Sequence, residues 1–367
     1  MREKATTLYI GPQHPGITGN MMVRLKVEGD TIVKATTEVG YLHRSFEKLA
    51  EKRNWLQTFT LMCRFCVPEP DPVEETYSRA VELLEGRSVP EKAKFLRVLV
   101  LELARISSYL LWYGGQGASL GLYTIGQWSV GDRNYILDLF EELTGARIYH
   151  MFIWPGGVRR DMPDGFEKRV LKTMDYLESR LDDYEALMFD NAIFKKRTQG
   201  VAIIDKEKAI EWGVVGPPLR GCGIKSDIRI DDPYEVYDQL DFDVPTYEGG
   251  DIWARALVRR DELRQSIRIV RQVIAKMPGG SYYNKVPNPQ KWTMPKGDAY
   301  ARTEAVRGEI GFYVASDGGT NPRRAHMRGA AYVHGITLLE DMLKGANIAD
   351  VSSIMNSLGT CPPEIER

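Results

Sequence analysis

Alternation of apolar and polar residues opens the chain. Thr7 to Ile10 runs into a Gly/Pro turn, and Met22 to Val27 and Thr31 to Thr37 then alternate about Glu28-Gly29-Asp30, which predicts a hairpin. Beyond it the apolar spacing lengthens to that of helices. Val73 to Leu84 follows Pro72, and Pro90 opens a helix to about Tyr113, as suits proline in a first helical turn. Gly131 to Leu143, Asp164 to Met188 and Ile252 to Ala275 also carry the helical period, and another helix is expected from Ala330 to Met342. Gly213 to Gly223 and Pro278 to Pro295 are Gly/Pro-rich and read as irregular; Glu309 to Val314 reads as a short strand before the turn Asp317-Gly318-Gly319. The fold class expected is α+β, a mostly helical bundle core with a small N-terminal β region joined by a late strand. Residues 1–50 would form the β region and a loop to the site, and residues 51–367 the helical core, with irregular insertions near 213–250 and 278–300.

The length of 367 residues exceeds one ordinary domain and allows a sizeable core. A net charge of −1 and a hydrophobic fraction of 43% describe a globular protein without an overall basic surface, so nucleic acid is not an expected partner. Phe95 to Trp112 is the most apolar stretch, but Arg97, Glu102 and Arg105 within it are each costly at a bilayer centre. It reads as a buried bundle helix, and membrane contact is expected only through a partner. Met1 leads straight into a polar, charged segment rather than a signal peptide. No Gly-x-Gly-x-x-Gly follows a predicted strand, so no direct NAD site is expected.

The chemistry concentrates at two short motifs. Cys63-Arg64-Phe65-Cys66 and Cys361-Pro362-Pro363-Glu364 share an i, i+3 spacing. Thiolates so spaced on a turn point the same way, and two such pairs can converge on one metal, here with a carboxylate in place of a fourth sulfur. A zinc half-site or a disulfide is the plainer reading of Cys63 and Cys66. Cys222, in Gly-Cys-Gly, reads as a small buried thiol. His14 and His43 suit turn capping better than metal ligation. Arg44 and Glu47 fit an ordinary i, i+3 ion pair as readily as a proton path through Glu47. Asp161, Asp227 and Asp251 suit helix caps or loop braces better than a route for coupling. Glu304, Arg307 and Glu309 fit a buried network or a relay equally.

Several blocks in order carry a resemblance: Gly11-Pro12-Gln13-His14-Pro15, Gly40-Tyr41-Leu42-His43-Arg44, Trp55-Leu56-Gln57, Gly156 to Asp161, Gly216 to Gly223, Gly250-Asp251, Arg255 to Arg259, Glu304 to Glu309 and Ser316-Asp317-Gly318. Over nearly its whole length the chain resembles the large quinone-site subunit of respiratory complex I and its relatives, the large subunits of membrane-bound nickel–iron hydrogenases. The resemblance implies a helical core of that type and a small iron–sulfur subunit as partner, whose proximal cluster lies at the reaction site. It further implies a membrane arm of ion-translocating subunits and a place on the cytoplasmic face of the cell membrane.

The site residues separate the branches of that superfamily. A quinone site uses a histidine and a tyrosine for the headgroup oxygens; by resemblance their places hold Thr18 and Leu61. Threonine offers one hydrogen bond and leucine none. His14, Thr18, Leu61 and His43 are then expected to line the substrate cavity without a conventional quinone pair. A nickel–iron centre uses four thiolates; Cys63, Cys66 and Cys361 match, and Glu364 replaces the fourth. The hybrid is most similar to the archaeal membrane-bound sulfane sulfur reductases, which implies reduction of polysulfide coupled to ion pumping. Cys63, Cys66 and Cys361 would be the reacting thiols, with Glu364 beside them and Arg64 lowering a thiol pKa and holding the anion. Glu47, Asp161, Glu304 and Arg307 would form a proton or coupling path. By the same resemblance no cofactor is firmly held by this chain, the iron–sulfur cluster belongs to the adjacent subunit, and Cys63, Cys66 and Cys361 mark a degenerate metal site. A quinone-reducing complex I-type subunit, a degenerate hydrogenase subunit and a non-catalytic scaffold stay open as alternatives.

Overall fold

The structure, a computed structural model, describes residues 5–14 and 19–367. Thr6–Ile10, Met22–Glu28 and Thr31–Glu38 form an antiparallel sheet in that order. Strict alternation in the middle strand puts Val23, Leu25 and Val27 on one face. They pack with Ile32 against Leu338, Leu339, Leu343 and Ile354 from near the C-terminus. The sheet is thereby tied to the far end of the sequence, and the Ile32 amide donates to the Ala346 carbonyl at 2.9 Å.

The α+β class holds, but the late strand does not join this sheet. Gly308–Ser316 is the centre of a separate antiparallel sheet between Gly297–Ala305 and Arg324–Arg328. Ile310, Phe312 and Val314 share a core with Tyr77 and Val81 of the Pro70–Glu85 helix. With Gly297–Ala305 on one edge and Arg324–Arg328 on the other, this strand has no free edge to extend the N-terminal sheet.

Glu91–Ser119, Tyr123–Thr144, Phe166–Tyr184 and Ile252–Lys276 make the helical core. Glu91–Ser119 runs beyond the expected end because its glycines admit the next helix. A Cβ added to Gly126 would lie 3.9 Å from the Gly114 Cα. The polar groups of its apolar stretch are buried and paired: Arg97 lies 2.6 Å from Glu82 and 3.1 Å from Glu235, and Arg105 lies 3.3 Å from Glu102. Among the described residues no helix is long and apolar enough to cross a membrane.

Asp227 and Asp251 are caps, accepting from the Arg229 and Ala254 amides at 2.9 and 2.7 Å. The helix expected over 330–342 is interrupted. Ala330–Val333 passes into a π-helical turn, His334–Leu338, before Leu339–Leu343. Gly335 lies so close to the Ile365 side chain that a Cβ there would collide. Part of the first stretch expected to be irregular is helical, Gly216–Arg220, with proline in its first turn. Gly216, at φ +66°, presses on the Arg307 carbonyl, which leaves no room for a Cβ. That contact fixes the tip of the hairpin between Gly297–Ala305 and Gly308–Ser316, and with it the side chain at the centre of the site.

Candidate active site

The two ends of the chain meet at this hairpin tip. Trp55–Met62 is a helix closed at its start by a reciprocal Asn54–Gln57 capping box, and the chain leaves it at Cys63. After that turn comes Cys66, and Glu69 stands at the start of Pro70–Glu85. Cys361 likewise precedes the short Pro362–Glu366 helix. Cys66 Sγ and Cys361 Sγ approach to 3.6 Å in the buried interior. Their sulfurs and a Glu364 carboxylate oxygen lie within 4.8 Å of one another. Arg307 binds the group together: its Nη1 donates to Cys66 Sγ at 2.9 Å, pairs with Glu69, and lies 3.9 Å from Glu364. The second Glu364 oxygen accepts from the Ala331 amide at 2.9 Å.

The electrostatics of the two thiols diverge. Burial foremost pushes Cys66 well above its ordinary value, and Cys361 is held below its own, first by the hydrogen bond from Cys66 and further by the Arg307 charge. Of the two thiols, Cys361 is therefore the first to give up its proton. Burial also raises Glu364, against the pull of Arg307.

Cys63 stands apart from this group. Its Sγ lies 3.7 Å from the Thr60 carbonyl and 3.0 Å from Arg64 Nη1, and burial pushes its thiol up to about 12. All four cysteines are free, so Cys63 and Cys66 form no disulfide. Arg64 is half-buried beside Cys63 and the Tyr149 ring, so the guanidinium at the thiol pair is that of Arg307 instead. The donors that converge, two sulfurs and a carboxylate with a guanidinium already against them, do not match the four thiolates of a nickel–iron centre.

The remaining candidates scatter. Thr18 lies outside the described residues, and His14 is exposed. Leu61 is buried in the core and offers no hydrogen bond. His43 Nδ1 lies 2.6 Å from the Glu366 carbonyl. Glu47 faces Arg324 and His326, each at 3.0 Å, rather than Arg44, which donates to the Arg64 carbonyl at 2.8 Å. Asp161 pairs with Lys92 at 2.6 Å. Glu304 joins a buried network, accepting from Arg220 at 2.8 Å; burial, then the charge of Asp227, pushes its carboxyl up to about 7. Arg307 and Glu304 thus serve separate places, and Glu309, opposite Glu304 in the sheet register, lies 3.8 Å from Arg302.

Beside the thiols lies a cavity of about 330 Å³. Pro68, Arg307 and Thr360 form its wall on the thiol side, and Trp112 and Arg259 stand farther in; the cysteines themselves do not line it. Sequence reasoning passed over Glu69 and gave Arg259 only a place in the Arg255 to Arg259 block. The signal for Glu69 was present: Cys66-Val67-Pro68-Glu69 repeats the Cys-x-Pro-Glu of Cys361 to Glu364. It also passed over His150, whose Nδ1 lies 2.9 Å from Asp71 and whose ring stacks on Phe140.

Comparison with known proteins places the chain in one family whose members carry different activities in their names. The model of the respiratory-chain NADH dehydrogenase 49 kDa subunit family matches residues 119–367. An NADH-quinone oxidoreductase subunit of Thermosipho melanesiensis is 47% identical, over 98% of this chain and 99% of its own. An F(420)H(2) dehydrogenase subunit of Methanosarcina mazei is 36% identical over 98% of this chain and 97% of its own. Among solved structures, a chain of the membrane-bound sulfane sulfur reductase, an archaeal respiratory membrane complex, superposes with a TM-score of 0.97 at 45% identity, covering 100% of both chains.

Proposed function

This chain belongs to the respiratory-chain NADH dehydrogenase 49 kDa subunit family, and we propose that it forms the reaction site of a membrane respiratory oxidoreductase whose acceptor is sulfane sulfur. The observation that carries this reading is the thiol pair Cys66–Cys361, 3.6 Å apart under the Arg307 guanidinium. The likeness to the sulfane sulfur reductase chain supports the same acceptor.

The Cys361 thiolate attacks a sulfane sulfur of the polysulfide. A new S–S bond forms to Cys361, the attacked S–S bond breaks, and the shortened polysulfide leaves with the electron pair. Two electrons, which an iron–sulfur cluster of a partner subunit would supply, and one proton would then cleave the persulfide to hydrosulfide and regenerate the thiolate. Arg307 sets the charge balance, and the Cys66 thiol is the proton source nearest the departing sulfur. Ion-translocating subunits below the site would couple the redox step to transport.

The test is the acceptor specificity of the intact complex, purified without oxygen and supplied with its reduced donor. Sulfide release from polysulfide, with no quinol formed from a short-chain quinone, is the expected result. Quinol formation without sulfide release would overturn the reading.

A further inference from the structure

Most buried arginines here are matched by carboxylates. Arg97 has Glu82 at 2.6 Å, Arg105 has Glu102 at 3.3 Å, Arg220 has Glu262 at 2.6 Å and Arg229 has Asp227 at 2.7 Å. Arg255 lacks an acid but is surrounded by neutral acceptors, the Ser357 hydroxyl and the Ala202 and Gly250 carbonyls at 2.7 to 3.2 Å. Arg259 has neither provision. It is 2% exposed, its one hydrogen bond among the described residues runs from Nη1 to the Arg255 carbonyl at 3.1 Å, and its guanidinium lies 4.8 Å from the Trp112 ring centroid. No carboxylate lies within ion-pair distance of it among the described residues. The acid that acts on it, Glu262, is already paired with Arg220 at 2.6 Å; a buried guanidinium so weakly compensated is costly, and a bound anion would offset that cost.

Room for such an anion is visible in what Arg259 faces. It lines the 330 Å³ cavity together with Arg307, and the rest of the wall is mostly apolar or glycine, including Trp112, Leu111, Gly114 and Gly126. Gly114 and Gly126 let the two helices that wall the cavity approach closely; a Cβ on Gly126 would meet the Gly114 backbone, 3.5 Å away. Arg307 is already matched by Glu69, so Arg259 is the cation left to a ligand, and one unmatched cation in a mostly apolar wall selects a ligand that is anionic and otherwise apolar. Arg307 touches Cys66 at 2.9 Å from the opposite side.

We propose that this cavity is the acceptor's binding pocket, holding an anionic polysulfide with one charged sulfur on Arg259 and the chain directed along the apolar wall toward Arg307 and the thiols. The identity of the ligand rests on the functional reading above; the pocket's preference for an apolar-bodied anion rests on Arg259 alone. Burial lowers the Arg259 pKa to about 10, which leaves it charged at neutral pH. A chain of sulfur atoms is polarisable and weakly hydrated between its charged ends, so apolar walls accept it as they accept thioethers.

Equilibrium binding to the intact, anaerobic complex, its reactive thiols first alkylated so that neither probe is consumed by exchange, tests the pocket with sodium tetrasulfide and the neutral dimethyl trisulfide. In the wild type, tetrasulfide is expected to bind at one site per chain and at least about tenfold tighter, the effect of one charge-assisted contact. Arg259→Gln should abolish that preference, and Arg259→Lys should keep most of it. Equal affinity of the two probes in the wild type overturns the pocket, and this arm needs no variant to fold. An unchanged preference in Arg259→Gln overturns it too. Tetrasulfide that binds with the predicted preference but is never reduced by the unalkylated complex would support the pocket and overturn the function; reduction with unaltered KM in Arg259→Gln would do the reverse.

Discussion

Replacing Arg307 by methionine removes the cation that the site is built around. Glu364 then loses a positive charge 3.9 Å away, an attraction of about 4 kcal/mol between unit charges at an effective dielectric constant of about 20. The fold need not lose all of it, because the carboxylate can take up a proton instead. Protonating a carboxyl of ordinary pKa 4.5 costs about 1.4 kcal/mol per pH unit above that value, or about 3 kcal/mol at pH 7. That sets the ceiling from Glu364, in line with the roughly 3–5 kcal/mol seen when one partner of a buried ion pair is removed. Burial already holds Glu364 above its ordinary value, and Arg307 is the main force pulling it down, so the substitution raises it further. A carboxyl raised in the folded state favours the fold most below its ordinary value and loses that contribution as pH rises through the folded value. The stability gap between wild type and Arg307→Met should therefore be largest near pH 8 and shrink toward pH 5.5, where the ceiling falls to about 1.4 kcal/mol. Denaturation of the intact complex across that range, followed by tryptophan fluorescence of the large subunit, measures the gap. A gap independent of pH, or one widening in acid, would refute the placement of Arg307 and Glu364 in one buried charge group.

Cys361→Ser and Cys66→Ser should each lower polysulfide turnover by about a hundredfold or more, while Cys63→Ser, outside the group, should lower it by less than about threefold; full turnover in all three would refute the thiolate mechanism. Glu304, pushed up to about 7, favours the fold below its ordinary value of 4.5 and ceases to as pH rises toward 7. Glu304→Gln should accordingly gain stability relative to the wild type over that interval and keep a constant offset from it above, as pH-dependent melting of the complex would show. Gly329→Ala places a methyl against the Glu364 carboxylate and should cost about 1–3 kcal/mol by overpacking, with turnover falling alongside; an alanine variant of unchanged stability and turnover would contradict the packing described.

The hairpin, the long bundle helices and the Asp227 and Asp251 caps were legible because each is local: period, proline position and capping residue lie within a few positions of one another. The strand Gly297–Ala305 was not, since Gly-Asp-Ala-Tyr-Ala-Arg carries no run of apolar residues and acquires its strand character from pairing with Gly308–Ser316. Cys361 and Cys66 were matched correctly by their motifs. Cys63 was grouped with them because a three-residue spacing aligns side chains only along a continuing helix, and the helix ends at Met62. Cys63 consequently turns back toward Thr60, and Cys66 lies past the bend. Arg64 drew the role of Arg307 for a related reason: it is the neighbour in sequence, whereas the neighbour in space arrives on a hairpin 241 residues away. The role of Arg259 could not be read at all, because what distinguishes it is the lack of a carboxylate within ion-pair distance.

Persulfide formation at Cys361 needs no electron donor, and it can be trapped directly. The intact complex, exposed to polysulfide without reductant and then alkylated, should yield a Cys361 peptide carrying one extra sulfur atom and a Cys63 peptide carrying none. An unmodified Cys361 in a complex that reduces polysulfide under the same conditions would contradict the thiol pair as the reacting centre.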